Sequence, residues 1–357
     1  MAGCIAAAAV FLAGRMSEPL FSLVIGLLAG GLVHLLVCIP PLVVRWGPPV
    51  PMFRQMRGER FRRFLREMGK VVGIGLLAQL NIVILRLLAT LLEEGSVTHY
   101  WYAARLVDLA QGAIAVGVGS ALMPVIAQDF AEKKTEQFRK HFAEAVRLAF
   151  FVLLPVACLL LVLAVPIVSV LFLHGRFDAS DAASTAATLR MLVPFMLALA
   201  GINIVKKVYY AVDDRTTLLV VGLLGVVSTG VLGYLFSKRM GVQGLGLALS
   251  VATVVQLVVY LVVLRSRMGD RIGLGALVDP LLRLLAASIP AAAAAWFITS
   301  AGRWELGPAA VLNWVLLAAS GLVSALLFFL AARLLRIGEI DALIGKIFRR
   351  SKKPNGV

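Results

Sequence analysis

Residues 148–173 read LAFFVLLPVACLLLVLAVPIVSVLFL and contain no charged side chain. A helix of about 20 apolar residues crosses the hydrocarbon core of a bilayer, so this stretch alone predicts a membrane span. The rest of the chain repeats the pattern, because 61% of its 357 residues are apolar and 15% are charged. Soluble domains have about 25% charged residues, and a soluble globular protein is therefore excluded.

Further apolar segments lie between polar breaks along the whole chain. They are residues 2–14, 20–42, 70–92, 104–127, 186–210, 217–236, 242–264, 281–300 and 310–335. None shows the period-two alternation of a barrel strand, so each is expected to be a helix. We predict an all-α fold, a polytopic transmembrane helix bundle of about ten hydrophobic segments. The first segment is shorter than a span and no positive charge precedes it, which favours part of a membrane helix over a cleaved leader.

The formal charge of +16 indicates the topology of the bundle. Most of the 35 Lys and Arg residues lie in alternate breaks, and an excess of these residues marks cytoplasmic loops. We therefore predict a multi-pass membrane protein with a cytoplasmic C-terminus. Because the basic residues form short stretches between apolar runs, no nucleic-acid partner is expected.

Residues 43–69 form the longest of these basic breaks. Their sequence PMFRQMRGERFRRFLREMG can place Met and Phe on one helix face with arginines around it. A helix of that kind lies on an anionic membrane surface, so anionic phospholipid is the predicted partner. A solvated linker that only fixes the topology is the alternative.

Catalytic signatures are missing from the sequence. The four histidines are far apart, the acidic pairs fall in loops, and no Walker, HExxH or GxSxG motif occurs. We predict that the chain is not an enzyme, and we expect no cofactor and no metal.

Two arginines fall inside or at the edge of apolar segments, where a charge is costly unless it faces protein or water. Arg86 follows Gln79 by two helical turns on the same face, with Asn81 between them. A polar-lined interior position and snorkelling to the surface are both open for Arg86. Arg105 follows Tyr102 at the start of its segment, where it belongs either to an aromatic belt or to a cavity that binds an anion such as phosphate.

Five strings of the sequence are recognisable as a set. They are LLAGGLVHLLVCIPPLV, AQLNIVILRLLATLLEEGSVTHYWYAARLVDLAQGAIAVGVGSALMPVIA, VSVLFLHGRFDASDAASTAATLRMLVPF, YYAVDDRTTLLVVGLL and GVQGLGLALSVATVVQLVVYLVVLR. In this order they resemble helices six to twelve of the MurJ (MviN) lipid II flippases of the multidrug/oligosaccharidyl-lipid/polysaccharide exporter superfamily. The resemblance implies a bacterial inner-membrane bundle of two lobes around a cationic cavity. Such a bundle flips a lipid-linked peptidoglycan precursor, an undecaprenyl-diphosphate-linked saccharide, by alternating access.

The resemblance also suggests roles for single residues. The family motif YYADRL falls on residues 101–106 and places a substrate-binding cavity arginine on Arg105, with Tyr102 beside it and Ala104 in place of the acidic residue. We add Arg86, Gln79 and Asn81 as candidate substrate contacts because of their spacing.

Two further family features fall on this sequence. The family turn FYALGD falls on residues 209–214, so Lys207, Tyr210 and Asp214 are expected to form a cytoplasmic loop motif with a structural role. The positions that resemble a sodium site in some members are Leu85, Ser228 and Leu232 here, and aliphatic side chains offer no oxygen ligand. No sodium site of that type is expected.

The family plan has fourteen helices, and the resemblance begins late in the fifth. We therefore expect an N-terminally truncated bundle. Its predicted parts are a remnant of the first lobe at 1–42, the basic linker at 43–69, the core of the second lobe at 70–236, C-terminal helices at 237–340 and a basic cytoplasmic tail at 341–357. A protein that supplies the missing first lobe is a candidate partner. A non-transporting remnant or partner-dependent scaffold, and an exporter of another polyprenyl-linked glycan, are the alternatives.

Overall fold

The computed structural model describes residues 3, 6–8, 11, 19–47, 58–117, 125, 128–129, 132, 134–268, 273 and 275–338. The long elements of these ranges are all helices: α1 (Pro19–Trp46), α2 (Glu59–Thr90), α3 (Ser96–Gly117), α4 (Thr135–Phe172), α5 (Ala179–Ala211), α6 (Arg215–Met240), α7 (Val242–Met268), α8 (Gly275–Thr299) and α9 (Val311–Leu334). A 3₁₀ segment, Trp304–Ala309, connects α8 to α9. The predicted all-α fold is confirmed for this part of the chain.

Eight of these helices are long and apolar enough to cross a membrane, and α3 is the one that is not among them. The helix α3 is less apolar because it carries His99, Arg105 and Asp108. The predicted segment at 104–127 begins too late, since α3 starts at Ser96. Most of the predicted segment at 2–14 lies outside the described residues.

Several helices extend beyond their apolar parts. The helix α5 begins at Ala179 rather than at residue 186, because Asp178 and Asp181 form a capping box at its start. Arg190 therefore lies well inside α5, and its Nε donates to the carbonyl oxygen of Leu161 in α4 at 3.0 Å. Hydropathy alone missed the start of α5, since the first turns of the helix are polar.

The chain divides into two compact units, Met1–Arg66 and Glu67–Val357. In the first unit, most described side chains of α1 are exposed. The helix α2 runs without interruption from Glu59 to Thr90, so the end of the basic stretch belongs to the same helix as the apolar span. The finer division into lobes, linker and tail stays a prediction.

The second unit has its core around α5, which packs against α3, α4 and α7. The helix α7 also packs along α6, and α8 lies against α4 and α9. Two buried tyrosines connect these layers: the hydroxyl of Tyr209 donates to the carbonyl of Tyr260 at 2.8 Å, and that of Tyr260 to the carbonyl of Leu218 at 3.1 Å. Since buried hydroxyl groups need partners, these bonds fix α5, α6 and α7 in one register.

Candidate functional site

A cavity of about 300 Å³ lies inside the second unit between α2, α3, α5, α6 and α7. We call it the five-helix cavity. Much of its wall is aliphatic, as is usual for ligand sites with a few placed polar groups. The polar and aromatic residues of the wall are Asn81, Tyr100, Trp101, Asp108, Lys206, Thr229, Thr253, Gln256 and Tyr260.

The five-helix cavity is long and narrow. Leu192 and Lys206 both line it from α5, and residues at that spacing lie about 21 Å apart along a helix. Leu218 and Thr229 line it from α6 over about 16 Å. The cavity therefore follows more than half of a hydrocarbon core that is about 30 Å thick.

Glycines of α6 allow neighbouring side chains to approach this wall. A Cβ atom at Gly225 would lie 2.8 Å from the side chain of Gln256, and one at Gly222 would lie 3.2 Å from Leu77. Because Gly225 has no side chain, Gln256 crosses it and its Nε2 donates to the carbonyl of Val221 at 3.2 Å. The amide of Gln256 is thus fixed at the cavity wall.

Among the predicted substrate contacts, Asn81 lines the five-helix cavity. Its Oδ1 atom is buried and has no hydrogen-bond partner among the described residues. Gln79, on the same helix, is exposed and lies outside the lining. A buried acceptor without a partner is costly in a folded protein, which makes Asn81 a candidate for contact with a ligand.

Arg86 and Arg105 are both exposed and lie outside the lining of the cavity. Each directly follows a residue of the cavity wall, Leu85 in α2 and Ala104 in α3. Within the part of the chain that the structure describes, neither guanidinium group forms an ion pair or hydrogen bond. The two charges are therefore free to meet an anion that approaches α2 and α3.

Tyr102 is 36% exposed and belongs to an aromatic cluster rather than to the cavity wall. Its ring stacks on Phe172 with centroids 4.5 Å apart and lies 5.6 Å from the ring of Phe177. Beside this cluster, His99 of α3 contacts Asp181 of α5 at 2.9 Å. The pair His99–Asp181 joins the beginnings of α3 and α5, and the partly exposed Tyr102 packs against Phe172 at the end of α4.

The predicted loop motif lies at the turn between α5 and α6. Asp214 is the N-cap of α6, where its carboxylate accepts hydrogen bonds from the N–H of Thr217 at 3.2 Å and its hydroxyl at 2.7 Å. The same carboxylate pairs with Arg267 of α7. Tyr210 is exposed and Lys207 is half-buried, and neither touches Asp214 by a hydrogen bond.

Sequence reasoning missed Asp108, Lys206, Thr253 and Gln256 of the cavity wall. Lys206 stands beside Lys207 near the end of an apolar segment, where basic residues are expected to mark the cytoplasmic side of the membrane. The one local signal for Asp108 is its position three residues after Arg105, on the same side of α3. Thr253 and Gln256 gave no signal, since single polar residues are common in membrane helices.

Comparison with known proteins identifies the family of this fold. A family model described as lipid II flippase MurJ matches residues 3–313. The chain belongs to the MurJ family. The predicted resemblance is therefore confirmed.

Two curated MurJ relatives illustrate how much of the family the chain covers. The probable lipid II flippase MurJ of Bdellovibrio bacteriovorus is 30% identical over 61% of this chain and 41% of the relative. The lipid II flippase MurJ of Burkholderia cenocepacia is 27% identical over 73% of this chain and 51% of the relative. The chain thus spans about half the length of the curated relatives it matches.

A solved structure, lipid II flippase MurJ in an inward closed conformation, shares the fold. It matches with a TM-score of 0.70 and 18% identity over 93% of this chain and 65% of that chain. Family membership and the apolar helices make the chain a multi-pass inner-membrane protein. A flippase moves its substrate without covalent change, so the expectation that the chain is not an enzyme agrees with the family.

Proposed function

We propose that this chain carries out the flipping of lipid II, the lipid-linked peptidoglycan precursor, across the inner membrane by alternating access. The observation that carries the proposal is the match of the MurJ family model over residues 3–313. The five-helix cavity supports it, because the charged residues Asp108 and Lys206 in its wall are costly inside a membrane bundle unless they serve transport or binding.

The proposed substrate is an undecaprenyl-diphosphate-linked saccharide. Arg105 is the proposed contact to the diphosphate and Arg86 the second, since each is exposed and unpaired in the described structure. A planar guanidinium group binds phosphate through two parallel hydrogen bonds. Gln79, Asn81 and Tyr102 are proposed as polar contacts to the same substrate.

The membrane orientation forms part of the proposal. We place the C-terminus and the turn with Lys207, Tyr210 and Asp214 in the cytoplasm, because basic residues mark cytoplasmic loops. The first turns of α2 expose Phe64 and Leu65 beside arginines, which suits contact with anionic phospholipid. A protein that completes the two-lobed plan is the proposed protein partner.

Growth of a bacterial strain depleted of its own flippase tests this function. The wild-type chain, expressed with any protein partner that it needs, should restore growth. Arg105→Ala should abolish this rescue at equal expression, because the diphosphate loses its charged contact. Arg283→Ala is the matched control, since Arg283 is exposed, lies in α8 and pairs with Asp279 at 2.9 Å. Full rescue by Arg105→Ala would remove the assignment of Arg105, and no rescue by the wild type would remove the function.

A further inference from the structure

Lys206 is a cation of the five-helix cavity that the proposed function does not use. It lies in α5 five residues before the last residue of the helix, Ala211. Its side chain is half-buried and lines the cavity, whereas the adjacent Lys207 is absent from the lining. The two lysines thus lie at almost the same position along α5, but only Lys206 lines the five-helix cavity.

No carboxylate of the described residues neutralises Lys206. Three carboxylates near this end of α5 already have a cationic partner. Asp214 contacts Arg267, Asp213 contacts Arg215 at 3.0 Å, and Glu67 contacts Lys70 at 3.0 Å. Lys206 itself has no ion pair or hydrogen bond within the described ranges.

The acidic residue of the cavity wall, Asp108, lies far from Lys206 along the cavity. Gln111 of α3 donates its Nε2 to the carbonyl of Met196 at 2.7 Å, which sets the two helices in register. Met196 and Lys206 are separated by about 15 Å along α5, and Asp108 lies almost one further turn away. A direct contact between the two charges is therefore excluded by this register.

Two side chains of α7 surround the same end of the cavity. Tyr260 and Gln256 both line it, and each donates to a backbone carbonyl of α6. The ammonium group of Lys206 carries three hydrogen-bond donors. This end of the cavity therefore offers hydrogen-bond donors and a positive charge, while aliphatic side chains form much of the remaining wall.

We propose that Lys206 binds the phosphate group of a lipid headgroup at this end of the five-helix cavity. A half-buried ammonium group without a carboxylate is stabilised by an anion, and lysine is a common point-charge ligand for phosphate. The aliphatic wall favours a lipid over a soluble phosphate. The site rests on the proposed function only for the identity of its natural ligand, which is then the diphosphate of the polyprenyl-linked substrate. Lys206 meets this diphosphate at a different stage of transport from Arg105, because the register of α3 and α5 places the two residues about 24 Å apart along the bundle.

Binding measurements on the whole chain in phosphatidylcholine nanodiscs test the site. The probes are a polyprenyl diphosphate and, as the matched uncharged probe, the polyprenol of the same length. Lys206→Gln should weaken binding of the diphosphate by about tenfold or more, because a charged hydrogen bond is lost. Lys207→Gln is the matched control and should change the affinity less than twofold, and Lys206→Arg should retain most of it. Lys206→Met serves as a second variant if the glutamine variant does not fold.

Competition separates the sources of the phosphate. Displacement of the polyprenyl diphosphate by phosphatidylglycerol at equal concentration would assign the site to phospholipid headgroups. No displacement would assign the site to the polyprenyl substrate. Both results support a site for a lipid phosphate. Displacement by inorganic phosphate at similar concentration would overturn the lipid proposal. Equal losses for Lys206→Gln and Lys207→Gln, or equal affinity for the polyprenol, would overturn the role of Lys206.

The growth test above keeps this proposal separate from the proposed function. Lys206-dependent binding by a chain that fails to rescue growth would remove the function and leave the site. Rescue of growth without Lys206-dependent binding would remove the site and leave the function.

Discussion

The hydroxyl group of Ser250 in α7 stands between Phe195 and Met191 of α5. It accepts a hydrogen bond from the N–H of Phe195 at 3.1 Å and donates one to the carbonyl of Met191 at 2.5 Å. In an uninterrupted helix these two groups would bond to each other. The preceding Pro194 has no N–H and weakens the helix at this turn. Ser250 therefore replaces a helical hydrogen bond beside the wall of the five-helix cavity, which Phe195 lines.

We expect Ser250→Ala to lower the free energy of unfolding by about 1 kcal/mol. The substitution leaves the N–H of Phe195 and the carbonyl of Met191 without their shared partner unless α5 tightens. Thermal unfolding of the purified chain in detergent measures the change. Ser266→Ala is the control, because Ser266 bonds only to the carbonyl of Val263 in its own helix at an exposed position. An unfolding temperature equal to that of the control would show that the N–H of Phe195 bonds directly to the carbonyl of Met191 in the variant.

Asp214 provides a second prediction, since it combines a helix cap with an ion pair. Asp214→Ala should cost about 1–2 kcal/mol in unfolding free energy, because the N–H of Thr217 loses its partner. Asp214→Asn keeps an oxygen for the cap and loses the charge that faces Arg267, so its cost should be smaller. Chemical denaturation in detergent measures both variants.

The neighbouring Asp213 is the control for this turn. It has a backbone φ of 59°, which glycine adopts without strain. Asp213→Gly should therefore leave the stability nearly unchanged, because relief of the positive φ offsets the loss of the exposed ion pair with Arg215. A loss equal to that of Asp214→Ala would contradict the distinction between the cap and the adjacent turn residue.

Gly244 gives a third prediction at the turn from α6 into α7. A Cβ atom there would lie 2.3 Å from the carbonyl oxygen of Phe236, a backbone atom that cannot move aside as a side chain can. Gly244→Ala should thus lower the free energy of unfolding by more than about 3 kcal/mol. The yield of folded protein should fall severely as a result. Size-exclusion chromatography after detergent extraction measures this yield.

Gly321 in α9 is the matched control for Gly244. A Cβ atom at Gly321 meets nothing within 4 Å, and alanine is the better helix former. Gly321→Ala should raise the stability by about 0.5–1 kcal/mol. Similar yields for the two variants would contradict the close approach of α6 and α7 at this turn.

The sequence predicts the helices better than it predicts the site, and particular residues show why. The uncharged stretch at 148–173 must form a span because of its length and hydropathy alone, and α4 contains all of it except the C-cap residue Leu173. The start of α5 depends instead on the reciprocal bonds of Asp178 and Asp181, which hydropathy does not detect. The cavity wall depends on the register of five helices, so no local pattern could show that Asn81, Asp108 and Lys206 share it.

Asn81 gives the last prediction, because its Oδ1 atom is buried without a hydrogen-bond partner in the described structure. Such an atom costs stability, and proteins keep it where a ligand or a transported group meets it. Asn81→Leu should therefore raise the free energy of unfolding by about 1 kcal/mol and reduce the rescue of a flippase-depleted strain at equal expression. Asn203→Leu is the control, because Asn203 is exposed in α5. It should neither raise the free energy of unfolding nor reduce the rescue of growth. Replacing an amide that has only a structural role would lower the stability of the protein, whereas replacing a substrate contact would lower transport. An Asn81→Leu variant that is less stable and still rescues growth would therefore show that Asn81 has a structural role.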